Sequence, residues 1–171
     1  MSSVYLCGFM GCGKSRIGRM LSASTGMPLV DLDAVIVENE GMSIPDIFAQ
    51  YGEPHFRSLE AKYIRELSDN YIVATGGGAL INDSTAEFAR SSGLTVYINT
   101  SFEVCYNRIK NDKNRPLVVN NTKEQLEQLY NTRAPIYRRN SMCMVNGDTR
   151  DYIICNEIAK LLAYYDVHGT I

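Results

Sequence analysis

The chain has 171 residues and a mass of 19.1 kDa, enough for one domain that buries its own core without a disulfide or metal. Hydrophobic residues make up 45% and charged residues 21%, proportions that exclude a disordered chain. With 17 Lys and Arg against 19 Asp and Glu, the formal charge is −2, which argues against a nucleic-acid binder working through a broadly basic face.

No run approaches the roughly 18 apolar residues of a membrane span, and MSSVYLCGFMG has no basic stretch ahead of a long apolar run. Neither a membrane anchor nor a secretory signal is therefore expected. Cys7, Cys12, Cys105, Cys143 and Cys155 are widely spread and form no CxxC pair, while His55 and His168 are isolated. A zinc site and a disulfide framework are both disfavoured, and the cysteines are expected as reduced, buried small hydrophobes. A cytoplasmic, single-domain protein is expected.

The predicted elements alternate strand and helix. Ser3–Cys7 is a short apolar strand that enters a glycine-rich loop, and a helix from Ser15 to Thr25 follows, with Ile17, Met20 and Leu21 at helical spacing. Pro28–Leu32 is the second predicted strand, ending in acids. Ser43 caps a helix carrying Ile44, Ile47 and Phe48, with Pro45 tolerated in its first turn. Glu53–Ser68 forms another, with Phe56, Leu59, Tyr63, Ile64 and Leu67 on one face. Tyr71–Thr75 and Leu94–Ile98 are strands, the first running into Gly76-Gly77-Gly78, and Phe102–Ile109 is a helix. Lys110–Thr122 is polar and expected as a mobile loop. Helices over Lys123–Arg138 and Asp151–Tyr165 flank a last strand, Met142–Val145. Strands separated by helices predict parallel pairing and an α/β sandwich.

Gly8-Phe9-Met10-Gly11-Cys12-Gly13-Lys14-Ser15 matches GxxxxGK[ST], with a strand before it and a helix after it. Backbone N–H groups of such a loop turn inward around phosphate oxygens, and the helix N-terminus adds positive potential. Lys14 then bridges the β- and γ-phosphates, and the Ser15 hydroxyl ligates Mg²⁺. Cys12 stands where the loop needs a small side chain, and space-filling is favoured over redox sensing. Arg16 follows where a second hydroxyl residue is common.

A phosphate loop alone says that a nucleotide binds, and the GTPase signature NKxD is absent. Asp31-Leu32-Asp33 falls at the carboxyl end of the second strand, where open α/β sheets bind ligands. In an extended segment the two acids share a face, so one serves the magnesium and the other a substrate hydroxyl. Arg57 and Glu60 are i and i+3 on a helix, by themselves an ordinary surface ion pair. Gly76–Gly78 is either a flexible turn or a place where backbone approaches a ligand closely.

Six motifs in one order, GFMGCGKS, DLD, GEPHFRSLE, TGGGA, RPL and RAPIY, resemble the shikimate kinase family over essentially the whole chain. The resemblance implies a nucleoside monophosphate kinase-like P-loop fold. That fold is a three-layer α/β sandwich with a central five-stranded parallel sheet, a single domain over 1–171. It further implies a substrate-binding region at about 32–60 and a lid at about 110–123. The implied reaction is ATP-dependent phosphorylation of the 3-hydroxyl of shikimate, in a cytoplasmic monomer with no nucleic-acid or membrane partner. Lys14 and Ser15 would serve ATP and Mg²⁺, with Asp31 supporting the metal through water. Asp33 would grip the acceptor hydroxyl and take its proton. Arg57, Arg133, Gly77 and Gly78 match the shikimate-binding positions. Arg115 matches the lid arginine that reaches the phosphates. Gly11, Cys12, Gly13 and Arg16 complete the nucleotide loop, and Arg108 and Arg150 fall where the family flanks adenine. A same-fold kinase acting on gluconate, a nucleoside monophosphate kinase and a nucleotide-sensing module are the competing readings.

Overall fold

The computed structural model describes residues 2–67 and 69–171. β1 (Ser3–Cys7) is buried along its whole length, as a strand with partners on both sides and helices on both faces must be. It pairs in parallel with β3 (Ile72–Ala74) on one side and β4 (Gly93–Asn99) on the other. β2 (Leu29–Asp31) and β5 (Cys143–Asn146) form the edges, giving the order β2-β3-β1-β4-β5 with every pairing parallel. The sheet carries helices on both sides, which is the three-layer sandwich expected from the alternating pattern. No helix among the described residues is long and apolar enough to cross a membrane.

From β1 the chain runs to the β2 edge, and from β4 it runs to the opposite edge at β5. A crevice opens at the carboxyl ends of strands whose connections part in this way. The loop after β1 leads there into α1 (Lys14–Thr25), which buries Ile17, Gly18 and Leu21 and ends at Gly26 in the left-handed region.

The chain departs from the expected elements at several points. The second strand stops at Asp31, because Asp31 caps α2 (Leu32–Glu40), a helix that the apolar run PLVDL concealed. Asp31 and Asp33 therefore do not share a strand face: one is the helix cap, and the other stands in the first turn. The two helices expected after Ser43 are one run, α3 (Ile44–Glu66), kinked at Gly52 with φ 79. Ser68, the expected end of the second of them, lies outside the described residues.

α4 (Asp83–Ser92) has no counterpart in the sequence reading. Its buried face is Thr85, Ala86 and Ala89, too small to register as an apolar period, and Asn82 caps it through Ser84 N and Thr85 N. α5 (Phe102–Ile109) comes next, and the segment expected as a loop contains one helical turn, α6 (Pro116–Val119). α7 (Lys123–Asn140) opens with a reciprocal cap between Thr122 and Gln125, and α8 (Asp151–His168) completes the chain.

Candidate active site

The loop after β1 closes around its own lysine. Lys14 Nζ donates to the carbonyls of Gly8 at 2.8 Å and Phe9 at 3.1 Å, which holds the ammonium across the mouth of the loop. Gly13 precedes α1 with φ 107, and no side chain caps the helix. The first-turn N–H groups are thus left to a ligand, which is what an anion site at a helix N-terminus requires. Ser15 Oγ donates to Asp31 Oδ2 at 2.9 Å. The other Asp31 oxygen accepts from the backbone N–H of Asp33 at 3.1 Å and of Ala34 at 3.4 Å, so the start of α2 aims the carboxylate. A hydroxyl and a carboxylate side by side at a phosphate cradle are hard oxygen donors. They fit Mg²⁺, which takes one or two protein oxygens and completes its shell with water and phosphate.

This cradle opens into a cavity of about 390 Å³ bordered by Lys14, Ser15, Arg16, Asp31, Arg108 and Arg115. Arg108 reaches over the loop to donate to Gly11 O at 2.9 Å. Arg16 is paired with Asp151 at 2.8 Å and is half exposed at the rim. The other expected nucleotide residues lie differently. Cys12 is buried and does not border the cavity; its thiol accepts from Lys14 Nζ at 3.6 Å, its N–H donates to Phe9 O, and its carbonyl accepts from Thr100 Oγ1. Arg150 is exposed at the start of α8 and borders neither this cavity nor the next. Arg19, which sequence reasoning passed over, does border it. The available signal was its position one helical turn beyond Ser15.

A second cavity, of about 210 Å³, adjoins the first. Asp33, Gly76, Gly77, Arg115 and Met10 border both, so the two share a wall. Arg57 from α3 and Arg133 from α7 stand on one side, and Met10, Ile44, Phe48 and Phe56 supply the apolar surface. Arg57 is held at three points. Glu53 Oε1 accepts from its Nε at 3.1 Å and Nη2 at 2.6 Å, and Glu60 Oε2 accepts from Nη1 at 2.7 Å. Arg133 Nη2 lies 3.8 Å from the same Glu53 oxygen, so one carboxylate ties the two guanidiniums together. Tyr137 and Arg133 both donate to the carbonyl of Gly77, which anchors the glycine turn to α7.

Gly76 and Gly78 are glycine for steric reasons. A β-carbon at Gly78 would overlap the Arg57 guanidinium, and one at Gly76 would overlap Glu60 Oε1 and crowd Asp33 Oδ1 at 2.9 Å. What a β-carbon would meet here is the protein's own side chains, Arg57, Glu60 and Asp33, so the turn is tight for packing at these two positions. The surface ion pair is a correction. Glu60 is 1% exposed, and its place among Phe56, Tyr63 and Ile64 on the buried face of α3 was the sequence signal.

Asp33 Oδ1 and Glu60 Oε1 are buried with no hydrogen-bond partner among the described residues. Burial pushes the Asp33 carboxyl up, and the Asp31 charge adds to this against Lys14, Arg115 and Arg57. Burial likewise raises Glu60, to about 7, with Arg57 opposing. The segment 110–123 borders this cavity through Asp112, Asn114, Arg115, Pro116 and Leu117. Arg115 is held by Asp112, Nε to Oδ2 at 2.8 Å.

A five-stranded parallel sheet of this order, with a phosphate loop after its first strand and an acceptor pocket beside it, defines a phosphotransferase of the P-loop, nucleoside monophosphate kinase-like class. A family model described as shikimate kinase matches residues 10–163. The shikimate kinase of Rhizobium leguminosarum bv. trifolii is 36% identical over 163 residues, covering 94% of this chain and 83% of that one. That of Geobacter sulfurreducens is 46% identical over 138 residues, or 79% and 76% of the two chains. Among solved structures, the shikimate kinase of Acinetobacter baumannii in complex with shikimate superposes with a TM-score of 0.90 at 33% identity, covering 96% of this chain and 94% of that one. The chain belongs to the shikimate kinase family.

Proposed function

We propose that the chain transfers the γ-phosphoryl group of ATP to the 3-hydroxyl of shikimate, giving 3-phosphoshikimate and ADP on the route to chorismate and the aromatic amino acids. The observation that carries this reading is the wall common to both cavities. Asp33 and Arg115 border each of them, so an acceptor hydroxyl in the smaller meets the terminal phosphate in the larger. Holding two reactants in line in this way removes much of the barrier.

Arg57 and Arg133 bind the carboxylate of the acid, because a planar guanidinium takes both of its oxygens in charge-assisted hydrogen bonds. The backbone at Gly77 and Gly78 and the Asp33 carboxylate receive the hydroxyls. Asp33 orients the acceptor first. As the bond between acceptor oxygen and γ-phosphorus forms and the bond to the β,γ-bridging oxygen breaks, the hydroxyl proton passes to Asp33 Oδ1. Its raised pKa suits that exchange. Lys14 and Arg115 spread the charge on the transferred group. Mg²⁺, held by Ser15 and Asp31, supplies charge neutralisation on the phosphates when bound.

The lid at 110–123 then excludes water, and the region 32–60 selects the acid. One chain supplies every side chain named here, so a monomer suffices. All five cysteines are free thiols and four of them are buried, which supports work in a reducing cytoplasm. The test is ADP release from Mg-ATP in a coupled assay with shikimate, gluconate or AMP as acceptor. Turnover with shikimate alone is expected. Turnover with another acceptor instead would overturn the roles of Arg57 and Arg133, and ATP binding with no acceptor-stimulated release would favour a sensing module.

A further inference from the structure

We infer that Glu60 takes up a proton when the carboxylate substrate binds, so that the pocket receives an anion without gaining a full negative charge. The inference rests on the reading of the smaller cavity as the site of a carboxylic acid.

Glu60 is 1% exposed. Its Oε2 accepts from Arg57, while its Oε1 borders the same small gap at Gly76 as Asp33 Oδ1, both without a donor. The charged groups facing this carboxyl are few. Arg57 comes from its own helix, with Glu53 bound to the same guanidinium. Asp33 comes from α2 and Arg133 from α7. Lys14 and Arg115 act on Asp33. The turn at Gly76–Gly78 contributes backbone and no charge.

In the free pocket the two arginines favour the Glu60 anion and burial opposes it, which leaves the group near 7. A substrate carboxylate paired with Arg57 and Arg133 offsets their attraction and adds repulsion at short range. The anion of Glu60 then loses its support. Once protonated, Glu60 no longer buries an unpartnered negative oxygen near Asp33 Oδ1. The substrate's own carboxyl, like other carboxylic acids, ionises near 4 and stays charged throughout this range.

The measurement is isothermal titration calorimetry of shikimate binding in Mes and in Bis-Tris near pH 5.5, and in Hepes and in Tris near pH 8, pairs whose ionisation enthalpies differ. Net uptake of more than about half a proton is expected near pH 8 and close to none near pH 5.5, with Kd rising by up to about tenfold per pH unit above 7. Glu60→Gln is expected to abolish the uptake, and His55→Gln to keep it, since His55 borders neither cavity. Heats independent of buffer in the wild-type protein would overturn the inference, as would the same uptake in Glu60→Gln. Should that variant not fold, the wild-type pH profile decides alone. No binding of shikimate at any pH would instead overturn the functional reading, and this inference with it.

Discussion

Burying a carboxylate oxygen without a donor costs roughly 1–3 kcal/mol, and Asp33 Oδ1 and Glu60 Oε1 both stand so beside Gly76. A chain keeps such atoms where a ligand supplies the missing donor. On the proposed function, the hydroxyl of the acceptor would be that donor for Asp33. Asp33→Asn keeps the shape but cannot take the proton. Turnover is expected to fall about 10²- to 10⁴-fold, with ATP affinity nearly kept and the fold intact. Steady-state kinetics alongside equilibrium ATP binding check this, and unchanged turnover would remove Asp33 from the chemistry. Sequence alone marked Asp33 through its DLD motif, but it gave no sign that one oxygen is orphaned. That depends on Gly76, 43 positions away in the chain, coming to rest against it.

Among the elements, the segment 110–123 illustrates how weakly an exposed arginine is held. Arg115 and Asp112 are both partly exposed, at 45% and 34%, and pair across one turn of a loop. Such a pair contributes at most about 1 kcal/mol, so it can restrain the guanidinium before ATP arrives without competing with phosphate. Arg115→Ala is expected to lower kcat on the order of 10³-fold. Asp112→Asn is expected to change kcat by no more than about threefold, the size of a weak exposed pair. Rates at saturating ATP and shikimate distinguish the two. If Arg115→Ala retained kcat within about fivefold, the lid arginine would have no part in charge stabilisation. The turn of helix in this segment, Pro116–Val119, buries no residue, which is why an apolar period could not reveal it. α2 escaped for a different reason. LVDLDAVIV reads equally as strand or helix, and the cap formed by Asp31 decides the matter.

For the molecule as a whole, the buried carboxyls make stability depend on pH. Glu60 ionises near 4.5 in the unfolded chain and at about 7 in the fold. Between those values the native state binds the extra proton. Stability from this group is therefore greatest below about 4.5, declines as pH rises, and carries the full cost above about 7. Asp33, also raised, acts in the same direction. That cost is roughly 3 kcal/mol for Glu60. Urea unfolding of the wild-type protein and Glu60→Gln at pH 5 and pH 7.5 is expected to show the variant gaining on the wild type at the higher pH. A difference that does not move with pH would mean that Glu60 ionises normally in the fold.

The sequence by itself determined the sandwich and the nucleotide half of the site, since both rest on short-range patterns. Apolar strands alternating with amphipathic helices can pack only in layers, and the phosphate loop is eight consecutive residues between one strand and one helix. The family motifs likewise marked Asp33, Arg57 and Arg133 as the acceptor half and Arg115 as the lid arginine. Only the tertiary structure decided what surrounds those four. It buried Glu60 behind Arg57, set Glu53 between the two arginines, turned Cys12 inward and left Arg150 outside both cavities. Each of these outcomes depends on groups far apart in the chain sharing a space of a few ångströms. Burial and charge at such a point are properties of the packing, which no local pattern encodes.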